Sequence, residues 1–158
     1  MSSSIKKYFI VAGEPSGDLH GSRLIKSIKT LDSKASFMGH GGNLMKNEGM
    51  KILEHIDTLS IMGFFEVLKH LPRMYVIMKR TTKIIKKSKP DKIILIDYPG
   101  FNLRLAKKIS HLKIPIIYFI LPQAWAWKKN RTKILKNIID KKISIFPFEK
   151  NWYKNNGV

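Results

Sequence analysis

Cysteine is absent from the 158 residues, which removes disulfides and thiolate metal sites from consideration. No apolar run reaches the roughly 18 residues that a membrane-crossing helix needs. Acidic residues are scarce: 11 stand against 30 basic ones, for a formal net charge of +19. Arginine is scarce as well, supplying five of those 30, whereas sequence-specific DNA readers lean on arginine at base edges. The positive charge has two readings. One is an anionic partner such as nucleic acid, a membrane surface or a phosphorylated substrate. The other is coding bias, because abundant lysine and isoleucine are what an AT-rich genome produces. Neither common phosphate-cradling loop is present, since the chain has no Gly-x-Gly-x-x-Gly and no Gly-Lys-Ser/Thr. Repeats, low-complexity linkers and Gly/Ser tracts are missing too. The length suits one domain with a substantial core. The N-terminal apolar run leads straight into Glu14 and Asp18. It reads as a first strand rather than a signal peptide, and a cytoplasmic location is the default expectation.

What is present is an alternation of short β-branched runs with helical patterns. The expected strands are Lys6–Ala12, Ala35–Gly39, Lys51–Glu54, Lys92–Asp97, Pro115–Ile120 and Lys141–Phe146. Helices are expected over Gly17–Leu31, Asn43–Glu48, Phe64–Lys87, Phe101–Leu112 and Arg131–Ile138, with a last turn after Pro147. Such alternation implies βαβ units and a parallel sheet in an α/β domain. Ile93-Ile94-Leu95-Ile96 lacks polar alternation, which predicts a strand covered on both faces. Pro72 predicts that the long helix divides into two that meet at an angle.

Tyr8–Asp18 is the most informative segment. An apolar strand ends in Gly13-Glu14-Pro15-Ser16-Gly17-Asp18 and a helix follows at once. Open α/β sheets place ligands at such strand-to-helix loops. Carboxylates repel phosphate but accept hydrogen bonds from hydroxyls, so Glu14 and Asp18 suit a sugar or acid/base chemistry. Asp97 ends the central strand candidate in Ile96-Asp97-Tyr98-Pro99-Gly100-Phe101-Asn102. It suits a general base with a raised pKa, or a residue that caps the next helix. Asn102 suits capping or binding through the same loop. Met38-Gly39-His40-Gly41-Gly42-Asn43 reads most simply as a turn after the second strand. Phe64, Val67, Leu68, Leu71, Met74, Tyr75 and Met78 make an apolar stripe in basic company, with Phe65, Val76 and Ile77 off it. That pattern suits an anionic membrane surface or a second packed domain. Pro122-Gln123-Ala124-Trp125-Ala126-Trp127 reads as a cleft wall, and the lysines after it leave single-stranded nucleic acid as an alternative.

Five of these stretches together resemble the lipid-A-disaccharide synthases. They are Gly13–Asp18, Ser60–Leu68, Ile96–Asn102, Pro122–Trp127 and Phe146-Pro147-Phe148-Glu149, in the family's order and spacing from about residue 6 onward. Pro15 departs from a common alanine. The resemblance implies a Rossmann-like parallel sheet flanked by helices, the N-terminal half of a B-type glycosyltransferase fold. The 158 residues would be the acceptor and lipid-binding domain, with the UDP-sugar-binding domain lying beyond them or supplied as a separate C-terminal half. The implied reaction joins UDP-2,3-diacylglucosamine to 2,3-diacylglucosamine 1-phosphate, with inversion and with no metal or other cofactor. Asp97 is the implied base. Glu14, Ser16, Asp18, Met62, Asn102, Gln123 and Trp125 are the implied substrate contacts. Phe64, Phe65, Val67, Leu68, Leu71, Met74 and Tyr75 are the implied membrane and acyl contacts. Implied partners are the two lipid substrates and an anionic membrane surface, with no nucleic acid. The implied place is cytoplasmic, peripheral at the inner face of the inner membrane. The rival reading, from charge alone, is a basic non-catalytic module for nucleic acid or membrane.

Overall fold

The computed structural model describes residues 5–60, 67–122 and 130–158. The strands are β1 (Lys7–Ala12), β2 (Ser36–Gly41), β3 (Lys51–His55), β4 (Lys92–Ile96), β5 (Ile116–Phe119) and β6 (Lys141–Ile143). They form one parallel sheet in the order β3-β2-β1-β4-β5-β6. The described helices are α1 (Pro15–Leu31), α2 (Asn43–Asn47), α3 (Ile56–Ser60), α4 (Val67–Ser88), α5 (Pro99–Ile109), α6 (Asn130–Ile138) and α7 (Pro147–Asn155). This is the Rossmann-like α/β architecture expected from the alternation. None of the described helices is long and apolar enough to cross a membrane.

The strands at the centre are apolar because both faces are covered. Phe9, Val11, Ile93 and Leu95 belong to one core, with Ile77, Met78 and Ile85 of α4 and Phe101, Leu105 and Ile109 of α5. Ile10, Ala12, Ile94 and Ile96 belong to the other, with Ile25 of α1 and Met45 of α2. Each such fully buried side chain contributes roughly 1.5–3 kcal/mol, so β1 and β4 anchor the sheet. Gly17 lets α1 lie close on this layer: a Cβ there would stand 3.1 Å from that of Ala12.

Several expectations need correction. The long helix is assigned continuously through Pro72 rather than as two, so the proline costs one backbone bond without ending the helix. Its expected start at Phe64 lies outside the described residues. The short helix α3 was not anticipated. β6 stops at Ile143 instead of reaching Phe146. The glycines after Met38 are not a turn: β2 runs on through Gly41. Gly39 has φ +144° with its Cα against the Ile10 carbonyl, where no side chain fits. There the β2–β3 register shifts.

Candidate active site at the sheet switch point

β1 and β4 lie side by side, with Ala12 opposite Ile96. The chain leaves them in opposite directions, to α1 and β2 on one side and to α5 and β5 on the other. A crevice opens at the carboxyl ends of strands where the order reverses in this way. Its two lips are Gly13-Glu14 after β1 and Asp97-Tyr98 after β4.

The Asp97 lip is held in an uncommon backbone shape. Asp97 and Tyr98 have φ of 43° and 45°, in the left-handed region where a non-glycine residue costs on the order of 1–3 kcal/mol. Surrounding bonds fix it. The Asp97 N–H donates to the Phe119 carbonyl at 3.0 Å. The Asp97 carbonyl accepts from the Tyr118 hydroxyl at 2.6 Å and from Asn102 Nδ2 at 2.8 Å. The Tyr98 ring stacks on Phe101 at 6.0 Å, and its hydroxyl donates to the Leu59 carbonyl at 3.2 Å. The ring also occupies the space that a side chain at residue 13 would need. Gly13 is therefore required by the opposite lip of its own crevice.

The backbone of Asp97 is thus occupied, and its half-buried side chain stands at the carboxyl edge of the sheet, one residue past β4. Its pKa is raised, first by burial and then by the Glu14 carboxylate; the Tyr98 backbone N–H works against both. A raised pKa makes a carboxylate a better proton acceptor. Tyr98 is raised by burial and by Glu14 as well. Glu14 stands at the N-cap position of α1 but makes no side-chain capping bond, so its exposed carboxylate is available to a ligand. Ser16 is exposed in the first turn of the same helix.

Two expected contacts do not reach the crevice. Asp18 is 3% exposed, and its carboxylate accepts the backbone N–H groups of Gly42, Leu44 and Met45 at 2.8, 3.0 and 3.0 Å. It caps α2 from α1, and its acceptor sites are spent on protein. Asn102 is fully buried. Its Nδ2 also donates to the Ile96 carbonyl at 3.2 Å, so it clamps the Asp97 turn instead of meeting substrate. Along α4, Met74 packs partly against the core, whereas Tyr75 is 63% exposed. The buried stripe takes in Ile77 with Met78, so Tyr75 leaves the expected apolar face. Val67, Leu68 and Leu71 fall in the first turns of α4. Met62, Phe64, Phe65, Gln123 and Trp125 lie outside the described residues.

Sequence reasoning missed Tyr98 and Tyr118, which hold the Asp97 turn. Their place directly after β4 and within β5 was the available signal. It also undervalued His40, which is 1% exposed at the end of β2 with Nε2 2.7 Å from Thr81 Oγ1.

A doubly wound parallel sheet with two acidic residues, Glu14 and Asp97, at its switch point defines a Rossmann-like α/β domain. The lipid-A-disaccharide synthetase family model matches residues 8–158, and the chain belongs to that family. Lipid-A-disaccharide synthase from Myxococcus xanthus is 38% identical over 152 residues, covering 96% of this chain and 40% of the relative. The Acidobacterium capsulatum enzyme of the same name is 40% identical over 156 residues, covering 99% of this chain and 39% of the relative. The chain thus spans about 40% of the length of these relatives. Among solved structures, UDP-GlcNAc 2-epimerase from Neisseria meningitidis bound to UDP-GlcNAc superimposes with a TM-score of 0.67 at 14% identity, over 96% of this chain and 44% of that one. A putative UDP-N-acetylglucosamine 2-epimerase from Listeria monocytogenes gives 0.68 at 12% identity, over 99% and 42%. At such identities the likeness concerns the fold alone.

Proposed function

We propose that this chain forms the acceptor side of a lipid-A-disaccharide synthase, a glycosyltransferase that joins UDP-2,3-diacylglucosamine to 2,3-diacylglucosamine 1-phosphate. The observation that carries the mechanism is the half-buried Asp97 carboxyl, raised in pKa and held at the switch point opposite Glu14. In this reading Asp97 takes the proton from the acceptor hydroxyl. The hydroxyl oxygen bonds to the anomeric carbon of the donor sugar from the face opposite UDP. UDP departs with the electrons of the broken bond, and the configuration inverts. Glu14 and Ser16, exposed on the α1 lip, accept and donate hydrogen bonds to acceptor hydroxyls. The residues beyond the matched part of the relatives supply the nucleotide-sugar side, so the 158 residues alone give no disaccharide.

The first turns of α4, with the basic residues that follow them, sit against the anionic inner face of the cytoplasmic membrane in this reading. That is where both substrates, being diacylated, are met.

The test joins this domain to the C-terminal half of a relative and assays disaccharide formation. Asp97→Asn lowers kcat by about 10²–10⁴-fold, the usual contribution of a general base, while acceptor binding persists. Near-normal turnover of that variant refutes the assignment of Asp97. Robust disaccharide formation by the 158 residues alone refutes the division of labour.

A further inference from the structure

We infer that His20 grips the phosphate of the acceptor and so selects a sugar phosphate over the free sugar. This rests on the acceptor-side reading above and adds the residue that recognises the anionic group.

Phe119 joins His20 to the crevice. It lies opposite Ile96 in the sheet, and its carbonyl accepts the Asp97 N–H at 3.0 Å. Its ring meets the His20 ring edge to face, with centroids 6.3 Å apart and planes at 84°. The contact falls on the face that α1 covers, where Phe119 packs with Ile94 and Ile96. His20 comes four residues after Ser16 in α1, so the two share one side of that helix. Ser16 is exposed and His20 is half-buried. Neither ring nitrogen of His20 has a hydrogen-bond partner among the described residues. Other histidines are already engaged: His40 Nε2 is 2.7 Å from Thr81 Oγ1, and His55 Nδ1 accepts the Asp57 N–H at 3.3 Å. Ile120, next after Phe119, has φ 63°. A branched residue enters that region only under constraint, and such backbone gathers at binding sites.

Charge selects the ligand group. Glu14 and Asp97 accept hydroxyls and repel phosphate, so an acceptor carrying both must turn its phosphate away from them. The described residues that lead out of β1, β4 and β5, together with the first turn of α5, include no lysine or arginine. His20, in the second turn of α1, is the first side chain there that can carry positive charge. An imidazole donates through one ring nitrogen when neutral and through both when protonated. Charge-assisted bonds to phosphate are among the stronger hydrogen bonds. The Phe119 ring steadies the imidazole, so less side-chain freedom is lost on binding. The net charge of +19 attracts any anion, but only a donor beside the Asp97 turn tells a sugar phosphate from phosphate alone.

NMR of the histidine ring C–H groups in the 158-residue chain tests this without turnover. N-acetylglucosamine 1-phosphate shifts the His20 resonance to saturation, and N-acetylglucosamine at the same concentration does not. Inorganic phosphate binds at least about tenfold more weakly, because it lacks the hydroxyls that Glu14 and Ser16 would hold, each bond being worth about that factor or somewhat less. In the hybrid enzyme described above, the acceptor lipid with its 1-phosphate is compared with the same lipid ending in a 1-hydroxyl. The wild type favours the phosphate about 10–100-fold in kcat/KM, the range of a charge-assisted hydrogen bond. His20→Leu keeps an apolar side chain against Phe119 and brings that preference below about threefold. His20→Gln keeps an N–H donor and restores part of it. Lys26→Ala removes an exposed cation of the same helix about 9 Å further along and leaves the preference within about twofold, since salt screens so distant a charge.

An equal fall for both lipids in His20→Leu shows a packing role and overturns the inference. A His20 resonance unmoved by the sugar phosphate, or moved equally by inorganic phosphate, overturns it as well. Transfer that needs Asp97 while its phosphate preference ignores His20 sinks only this inference. Sugar phosphate bound at His20 while Asp97→Asn turns over normally sinks only the assignment of Asp97.

Discussion

Acidification should destabilise this domain through His40. Its ring is buried between the edges of Phe9 and Phe101, with centroids 6.0 and 6.1 Å away. The Thr81 hydroxyl donates to the Ile77 carbonyl at 2.7 Å, so its single hydrogen is spent. It can only accept from His40, which places the proton on Nε2. Nδ1 is then buried without a hydrogen-bond partner among the described residues. A second proton would enter a site without an acceptor. Burial first, and the Arg80 guanidinium second, push the His40 pKa from 6.5 down to about 4. The folded state therefore binds this proton less readily than the unfolded chain. The associated stability is fully present above the unfolded value of 6.5 and is lost as pH falls through the folded value of about 4. Linkage gives a loss of about 2 kcal/mol at pH 5 and about 3 kcal/mol at pH 4. Against a total of roughly 5–15 kcal/mol for a domain, that is a large share.

Urea unfolding of the wild type and of His40→Phe, from about pH 7.5 to about pH 4, reads this out. Phenylalanine leaves the Thr81 hydroxyl its bond to Ile77. The other groups that titrate over that range, Asp97 among them with the opposite sign, cancel in the difference. The stability difference between the two proteins should shift by about 2–3 kcal/mol in favour of the variant across that range. A difference that stays flat with pH refutes the burial argument for His40.

Asp18→Ala leaves the N–H groups of Gly42, Leu44 and Met45 without their acceptor. At about 1–3 kcal/mol for each buried orphan, unfolding stability should fall by about 3 kcal/mol or more; a change within about 0.5 kcal/mol, typical of an unimportant surface site, would remove Asp18 from its capping role. Gly13→Ala should cost about 1–3 kcal/mol as overpacking against the Tyr98 ring, and the loss should shrink in the double variant with Tyr98→Ala. Additive losses in that cycle would show that the two lips do not touch. In the active full-length enzyme, kcat/KM should rise with pH as Asp97 loses its proton, and Glu14→Gln should move that acid limb to lower pH, because the Glu14 charge holds the Asp97 pKa up. An unmoved limb would separate the two carboxylates.

Local pattern was enough to read much of the architecture. Phe9–Ala12 and Ile93–Ile96 lack polar alternation, and they are the strands buried on both faces. Asp97 could be placed at a strand's carboxyl end because Pro99-Gly100 cannot continue that strand. Glu14 was legible for a similar reason, at the break between an apolar run and a helix. The shape of the Asp97 turn was not legible. Nothing local announces two left-handed residues in succession, and the bonds that hold them come from Phe119, Tyr118 and Asn102.

The sequence alone determined which segments enter the sheet, the parallel pairing implied by strand–helix alternation, and the two acidic lips; the strand order came from the folded chain. Tertiary structure decided which polar groups remain free for chemistry. Asp18 follows Glu14 by one helical turn, yet Asp18 is consumed by N–H groups 24 to 27 residues away, while Glu14 keeps its carboxylate open. His40 is paired across 41 residues, and Tyr75 leaves an apolar stripe that Ile77 joins. Periodicity reports how a segment meets water on average. Hydrogen-bond saturation is settled pair by pair across long separations, so only the folded chain shows it.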